Sequence, residues 1–250
     1  MKVVKLYGAS VQGSSHIQTE TPCHDSHAYR MLKNDLGVVA AVSDGMGSAK
    51  RAELGSTLAA NYIVDYIEKN IDLSMDDEDI ILLIKEGYVE VLDALHMEAS
   101  AFDLNVKDLN ATLLVFLSIG DRQFYGQVGD CSLIGKNDDG YLVLAKQQRG
   151  EYANATFSIC NDTSIEQGLY EKIDGFYESV ALMSDGIESI SVSAKDQTVS
   201  KLFYDPFFKA FEHEAFNQKD VESSLIRFLS SERISSKTDD DKTLLFIKVR

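Results

Sequence analysis

Apolar positions along this chain change period several times, and each change marks an element. Residues 3–11 and 37–43 read as strands, and the second, GVVAAVS, is so continuously apolar that a cover on both of its faces is expected. Between them lies a polar stretch rich in Ser, Thr and His that reads as a loop. From residue 49 to 70 the period lengthens: Ala52, Leu58, Ala59, Tyr62, Ile63, Tyr66 and Ile67 fall three or four apart, the stripe of a helix buried on one face. Residues 76–99 repeat this with Ile80, Ile84, Tyr88, Val91, Leu92 and Leu95, after an acidic first turn suited to a helix N-terminus.

Strand character returns at 111–120, 122–130, 131–136 and 141–146, with Gly120-Asp121 and Asp138-Asp139-Gly140 as tight turns, which predicts an antiparallel meander. Residues 147–178 are polar and aperiodic and predict a loop or flap with one short strand near 157–160. A strand at 179–184, helices at 196–213 and 218–232 and a last strand at 244–249 complete the pattern. Hairpin-joined strands alternating with helix pairs predict an α+β layered fold rather than a doubly wound one. No GxGxxG or GxxxxGK[ST] is present, and no linker interrupts the chain, so one domain over residues 1–250 is expected.

Composition narrows the function. With 250 residues and 44% hydrophobic content the chain can bury a sizeable core, and its net charge of −16 argues against a nucleic-acid partner. Cys23, Cys131 and Cys160 stand far apart without CxxC spacing, so reduced thiols and a cytoplasmic location are expected. No run approaches the length of a bilayer-crossing segment, so no membrane partner is expected.

The acidic residues carry the chemistry. Asp44 follows VVAAVS, Asp130 follows FYGQVG, Asp185 follows VALMS, and Asp240 precedes TLLFIKV. At a strand end a carboxylate is held by a rigid sheet and can converge with others at the rim. Such a cluster repels itself unless a cation neutralises it, and Mg²⁺ or Mn²⁺ takes oxygen ligands of this kind. Gly45 and Gly186 follow two of the aspartates, and a residue without Cβ lets its carbonyl approach a cation. Asp139-Gly140, flanked by two short strands, reads instead as a hairpin turn.

In order, the chain carries PCHDS with Asp25, DGMGS from Asp44, NATLLV from Asn110, VGDCS with Asp130, MSDGIES with Asp185, and DDKTLLFIKV with Asp240 and Thr243. Together these motifs resemble the metal-dependent protein phosphatases of type 2C, in their bacterial branch. The resemblance implies a central β-sandwich of two antiparallel sheets flanked by pairs of helices, with two Mg²⁺ or Mn²⁺ ions at one edge. It implies that Asp44 bridges both ions, that the Gly45 carbonyl binds one, and that Asp185 serves one and Asp240 the other. Asp130 with Asp185 would hold a third ion, and Asp25 would orient metal-bound water. A water shared by two cations loses a proton near neutral pH and attacks phosphorus. The implied substrate is a protein bearing phosphoserine or phosphothreonine, written by a cognate kinase.

Several positions depart from the family. GASVQGSSHIQ contains no Arg to hold the substrate phosphate, and His16, or the hydroxyls of Ser14 and Ser15, are its replacements. Met46 stands where some relatives have a proton-donating His, which leaves that proton to a metal-bound water or makes a slower enzyme. Ser48 replaces a Gly and is read as a helix cap. Cys23, His24 and His27 spell C-H-x-x-H, a zinc spacing without a visible fourth ligand. Asp239, Asp240 and Asp241 are consecutive, and alignment to Thr243 selects Asp240. The rival to an enzyme is a catalytically silent module that binds a phosphoprotein or kinase.

Overall fold

The structure is a computed structural model that describes residues 4–145, 148, 157–193 and 195–249. In chain order its strands are β1 (Val4–Val11), β2 (Asp25–Met31), β3 (Gly37–Asp44), β4 (Leu113–Ile119), β5 (Arg122–Val128), β6 (Ser132–Asn137), β7 (Gly140–Ala145), β8 (Leu169–Lys172), β9 (Ser179–Met183) and β10 (Lys242–Val249). Its helices are α1 (Ser14–Gln18), α2 (Ala52–Asn70), α3 (Asp77–Ala101), α4 (Asp162–Glu166), α5 (Asp185–Ser191), α6 (Lys201–Ala210), α7 (Gln218–Leu229) and α8 (Glu232–Ser235).

Two five-stranded antiparallel sheets, ordered β1-β10-β9-β6-β7 and β2-β3-β4-β5-β8, lie face to face. Between them Val38, Ala40, Val42 and Phe116 meet Leu182, Leu245 and Ile247. On the other side of β3 and β4, Val39, Ala41, Val115 and Leu117 pack on Ile63, Ile67, Ile84 and Leu95 of the α2/α3 pair. Both faces of β3 are therefore covered, which is why its sequence shows no alternation. The outer face of the other sheet carries Met183, Leu244 and Phe246 under Tyr204, Phe208 and Leu229 of α6 and α7. Each fully buried aliphatic side chain contributes about 1.5–3 kcal/mol relative to exposure, so these three layers hold the frame in which the site sits.

Several expectations are corrected. The meander is broken: β4 and β5 pair in one sheet, β6 and β7 in the other, and the chain changes sheet at Gly129-Asp130-Cys131. The expected loop between β1 and β3 contains α1 and β2; β2 is an edge strand paired only with β3, so much of its length is polar. Within the expected flap, α4 and β8 are ordered elements, and β8 completes a sheet beside β5. The strand expected at 157–160 is absent: Ile159 and Cys160 lie in a turn, tied by Ile159 N–H to Ala111 O (2.9 Å). Residues 147 and 149–156 of the flap lie outside the described residues. The helix expected at 196–213 spans only Lys201–Ala210, and that at 218–232 ends at Leu229 before α8. Ser48 does not cap α2, whose N-cap is Arg51, because 46–50 first form a turn. The two turns at Gly120 and Gly140 form as expected, each glycine at positive φ.

Candidate metal centre

One rim of the sandwich collects the ends of strands from both sheets. Asp25 opens β2 and Asp44 closes β3, and the two are register partners in the ladder. The end of β3 is tied to the chain entering β4: Thr112 N–H donates to Asp44 O (2.8 Å), and the Ser43 hydroxyl donates to Thr112 O (2.6 Å). The Gly45-Met46 turn is held by Met46 N–H to Asn110 O (2.9 Å). Asp130 sits where the chain changes sheet, just after Gly129 at φ 112°. A Cβ on Gly129 would lie 2.5 Å from the Thr112 side chain, so turn and packing both require glycine there. Asp185 begins α5 directly after β9, and Asp240 immediately precedes Asp241 and β10.

These segments bring Asp44, Asp130 and Asp185 together, with one carboxylate oxygen of each within 4.8 Å of the others. Asp240 lines the same cavity of about 230 Å³, with Gly45 and Met46 in its wall. Burial pushes the Asp44 carboxyl well above the usual range, and the charges of Asp25, Asp185, Asp130 and Asp240 add to this. Burial, then Asp130 and Asp240, raise Asp185 to about 6. Asp25 is buried opposite Asp44; burial raises it to about 7 despite the Ser184 hydroxyl donating to its Oδ2 (2.6 Å), and its Oδ1 has no hydrogen-bond partner among the described residues. Carboxylates that repel one another in a partly dry cavity are unstable as anions without a cation, and an all-oxygen donor set suits Mg²⁺ or Mn²⁺. The residues present therefore fit the expected ions.

The consecutive aspartates divide by burial. Asp240 is exposed at the cavity, whereas Asp241 is 3% exposed and accepts from the backbone N–H of Gly13 (2.6 Å) and His24 (2.5 Å). Asp241 also meets His16 Nδ1 at 2.9 Å, so three partners from two chain segments converge on it, while Asp240 is near enough to Asp44 and Asp185 for its charge to raise both. His16 lines the cavity beside His24, ring centroids 4.3 Å apart. The zinc spacing does not assemble: His24 turns to His16 and Asp241, His27 hydrogen-bonds the Ser10 hydroxyl (2.8 Å), and the Cys23 thiol donates to Asp25 O. Gly186 lies in α5, with its Cα side against Asp241 O; a Cβ there would lie only 2.0 Å from that oxygen.

Sequence reasoning passed over four residues of this site. Ser184 supports Asp25, Thr112 accepts from Asp44 N–H (3.1 Å), Asp241 holds His16, and buried Lys242 donates to Asp240 O (2.9 Å). Ser184 and Asp241 each adjoin a singled-out aspartate, which is the one signal that could have found them. Thr112 lies far from Asp44 in sequence and only the β3/β4 pairing joins them.

The model of the protein phosphatase 2C family matches residues 12–230. Serine/threonine-protein phosphatase 3 of Escherichia coli (strain K12) is 29% identical over 247 residues, covering 96% of each chain. Among solved structures, the S. agalactiae serine/threonine phosphatase superposes with a TM-score of 0.69 at 14% identity, covering 99% of this chain and all of that one. The catalytic domain of serine threonine protein phosphatase PstP, in complex with two manganese ions, gives 0.61 at 15% identity, covering all of this chain and 99% of that one. At such identities the structures show a shared fold, two antiparallel sheets with flanking helices. The family match spans most of the chain, and with the strand-end carboxylates in their expected order this protein belongs to the protein phosphatase 2C family of metal-dependent serine/threonine phosphatases.

Proposed function

We propose that the chain, acting as one catalytic domain in the cytoplasm, removes phosphate from phosphoserine and phosphothreonine in proteins, opposing a cognate kinase. Asp44, the Gly45 carbonyl, Asp185 and Asp240 would hold two Mg²⁺ or Mn²⁺ ions, and Asp130 with Asp185 a third. When bound, such ions supply an activated water and neutralise the phosphate oxygens. The observation that carries this reading is the gathering of three carboxylates from three separate strand ends within 4.8 Å.

The chain's own residues prepare the site. Burial and the surrounding like charges penalise the Asp44 anion, a penalty that a bound cation would offset. Asp25 keeps an unpartnered buried Oδ1 that orients water by accepting its hydrogen, while Ser184 fixes the other oxygen. His16 lines the cavity and is a catalytic residue of the site. A thiol nucleophile is disfavoured: burial and the charges of Asp44 and Asp130 hold the Cys131 thiol far above the usual range.

The test is hydrolysis of a phosphothreonine peptide with Mn²⁺, with a chelator as control. Metal-dependent turnover is expected, and calorimetry should show two or more metal sites lost in Asp44→Ala. Phosphopeptide binding without metal, and no turnover with it, would favour the silent-module reading, to which the lack of an arginine among the described residues of the cavity wall points.

A further inference from the structure

We propose that His16, positioned by Asp241, is the residue that gives a proton to the departing serine or threonine oxygen. This rests on the phosphatase reading of the cavity and adds a role to it. A serine or threonine alkoxide is a poor leaving group, so its departure is assisted by a positioned acid. Of the described side chains in the cavity wall, only His16 and His24 carry an imidazole; the rest are carboxylates, Thr112, Met46 and glycines. His24 is the weaker candidate: it is buried, its Nδ1 has no partner, and burial with the neighbouring His16 holds its ring toward the neutral form.

His16 is built differently. Its Nδ1 lies 2.9 Å from Oδ2 of Asp241, and an ionised carboxylate can only accept, so Nδ1 carries hydrogen and Nε2 is the ring nitrogen left for the cavity. Asp241 is itself immobilised by N–H donors from Gly13 (2.6 Å) and His24 (2.5 Å). Helix α1, which carries His16, is clamped to the same segment by Ser15 N–H to Asp239 O (3.0 Å) and by the Ser15 hydroxyl to the same oxygen (2.7 Å). Gly13 permits this approach, since a Cβ there would lie 2.3 Å from Asp239 O. The carboxylate behind the ring and the clamp on α1 together fix the direction of the ring.

In the step itself, the incoming oxygen bonds to phosphorus as the bond from phosphorus to the side-chain oxygen breaks. The bonding pair stays on the departing oxygen, which takes the proton from Nε2 and leaves as a hydroxyl. The imidazole is then neutral, still donating from Nδ1 to Asp241, and regains a proton from solvent. His16 is the catalytic residue, and Asp241 a positioning residue that acts through it.

The experiment compares two substrates with Mn²⁺ present: a phosphothreonine peptide, and p-nitrophenyl phosphate, whose nitrophenolate leaves without a proton. His16→Asn keeps an N–H in the place of Nδ1 but has no acid at Nε2. It should slow kcat on the peptide by about 100-fold and on p-nitrophenyl phosphate by less than about threefold on the same argument. Asp241→Asn, which replaces one accepting oxygen by an amide facing the donors, should show the same selectivity with a smaller loss. A separate readout needs no metal: the Nδ1–H proton of His16 should resonate far downfield in wild type and be lost in Asp241→Asn. Equal slowing of both substrates, no slowing of either, or no such resonance in wild type overturns the proposal. Wild type that turns over neither substrate would sink the phosphatase reading beneath it, an outcome told apart by the wild-type control alone.

Discussion

Asp25 and Asp44 stand opposite one another at the first rung of β2 and β3, two carboxylates that no sheet would place together for stability. Asp44 has further carboxylates within reach, while Asp25 is buried opposite it with one oxygen unpaired among the described residues. On the proposed function, Asp25 acts on the ions through the water it orients. Asp25→Asn is expected to weaken Mn²⁺ affinity or turnover by about 10–100-fold, measured by calorimetry and peptide hydrolysis, whereas Asp44→Ala should abolish both. The same groups make metal binding depend on pH. Folded values near 7 for Asp25 and 6 for Asp185 lie above the ordinary 3.8, so the fold favours their protonated forms. In the metal-free protein their contribution to stability is full below 3.8 and is lost as pH rises through 6 to 7. Mn²⁺ competes with those protons, so its affinity should rise between pH 6 and pH 8 by calorimetry; an unchanged affinity would contradict the assignment.

Among the elements, α2 shows how closely the layers are joined. Gly55 lets this helix press against the chain entering β4: a Cβ would lie 1.9 Å from Leu109 O, where backbone must move. Gly55→Ala is expected to destabilise by about 1–3 kcal/mol, seen as a lower thermal midpoint, with the number of Mn²⁺ sites unchanged. Gly186→Ala, in α5 against Asp241 O, should instead weaken Mn²⁺ binding, because the segment that must shift carries Asp240. Legibility differed by element for a physical reason. The long helices α2 and α3 announce themselves because one face of each is buried over many turns. Edge strand β2 and short β8 did not, since β2 buries few positions and β8 none fully. The change of sheet after Gly129 was also hidden, because a hairpin and a crossover have the same local apolar pattern.

For the molecule as a whole, the ions are expected to be part of what stabilises the rim. Mn²⁺ at 100 times its dissociation constant should add about 2.7 kcal/mol per site. For a chain of this size that is a rise of roughly 5–11 °C in thermal midpoint, reversed by chelator; no shift would mean the cluster holds no ion. Among the described residues no helix is long and apolar enough to cross a membrane. The chain by itself determined a good deal: apolar period marked most strands and both long helices, and the strand-end position of Asp44, Asp130, Asp185 and Asp240 marked the cavity's acids. Those are local properties, set by which faces an element buries and where it stops. Tertiary structure alone decided that His24 belongs with His16 rather than His27, that Asp241 is buried under its hydrogen-bond partners while Asp240 stays exposed, and that Thr112 and Ser184 support aspartates on other strands. Such choices depend on contacts between segments far apart in sequence, about which spacing along one segment carries no information.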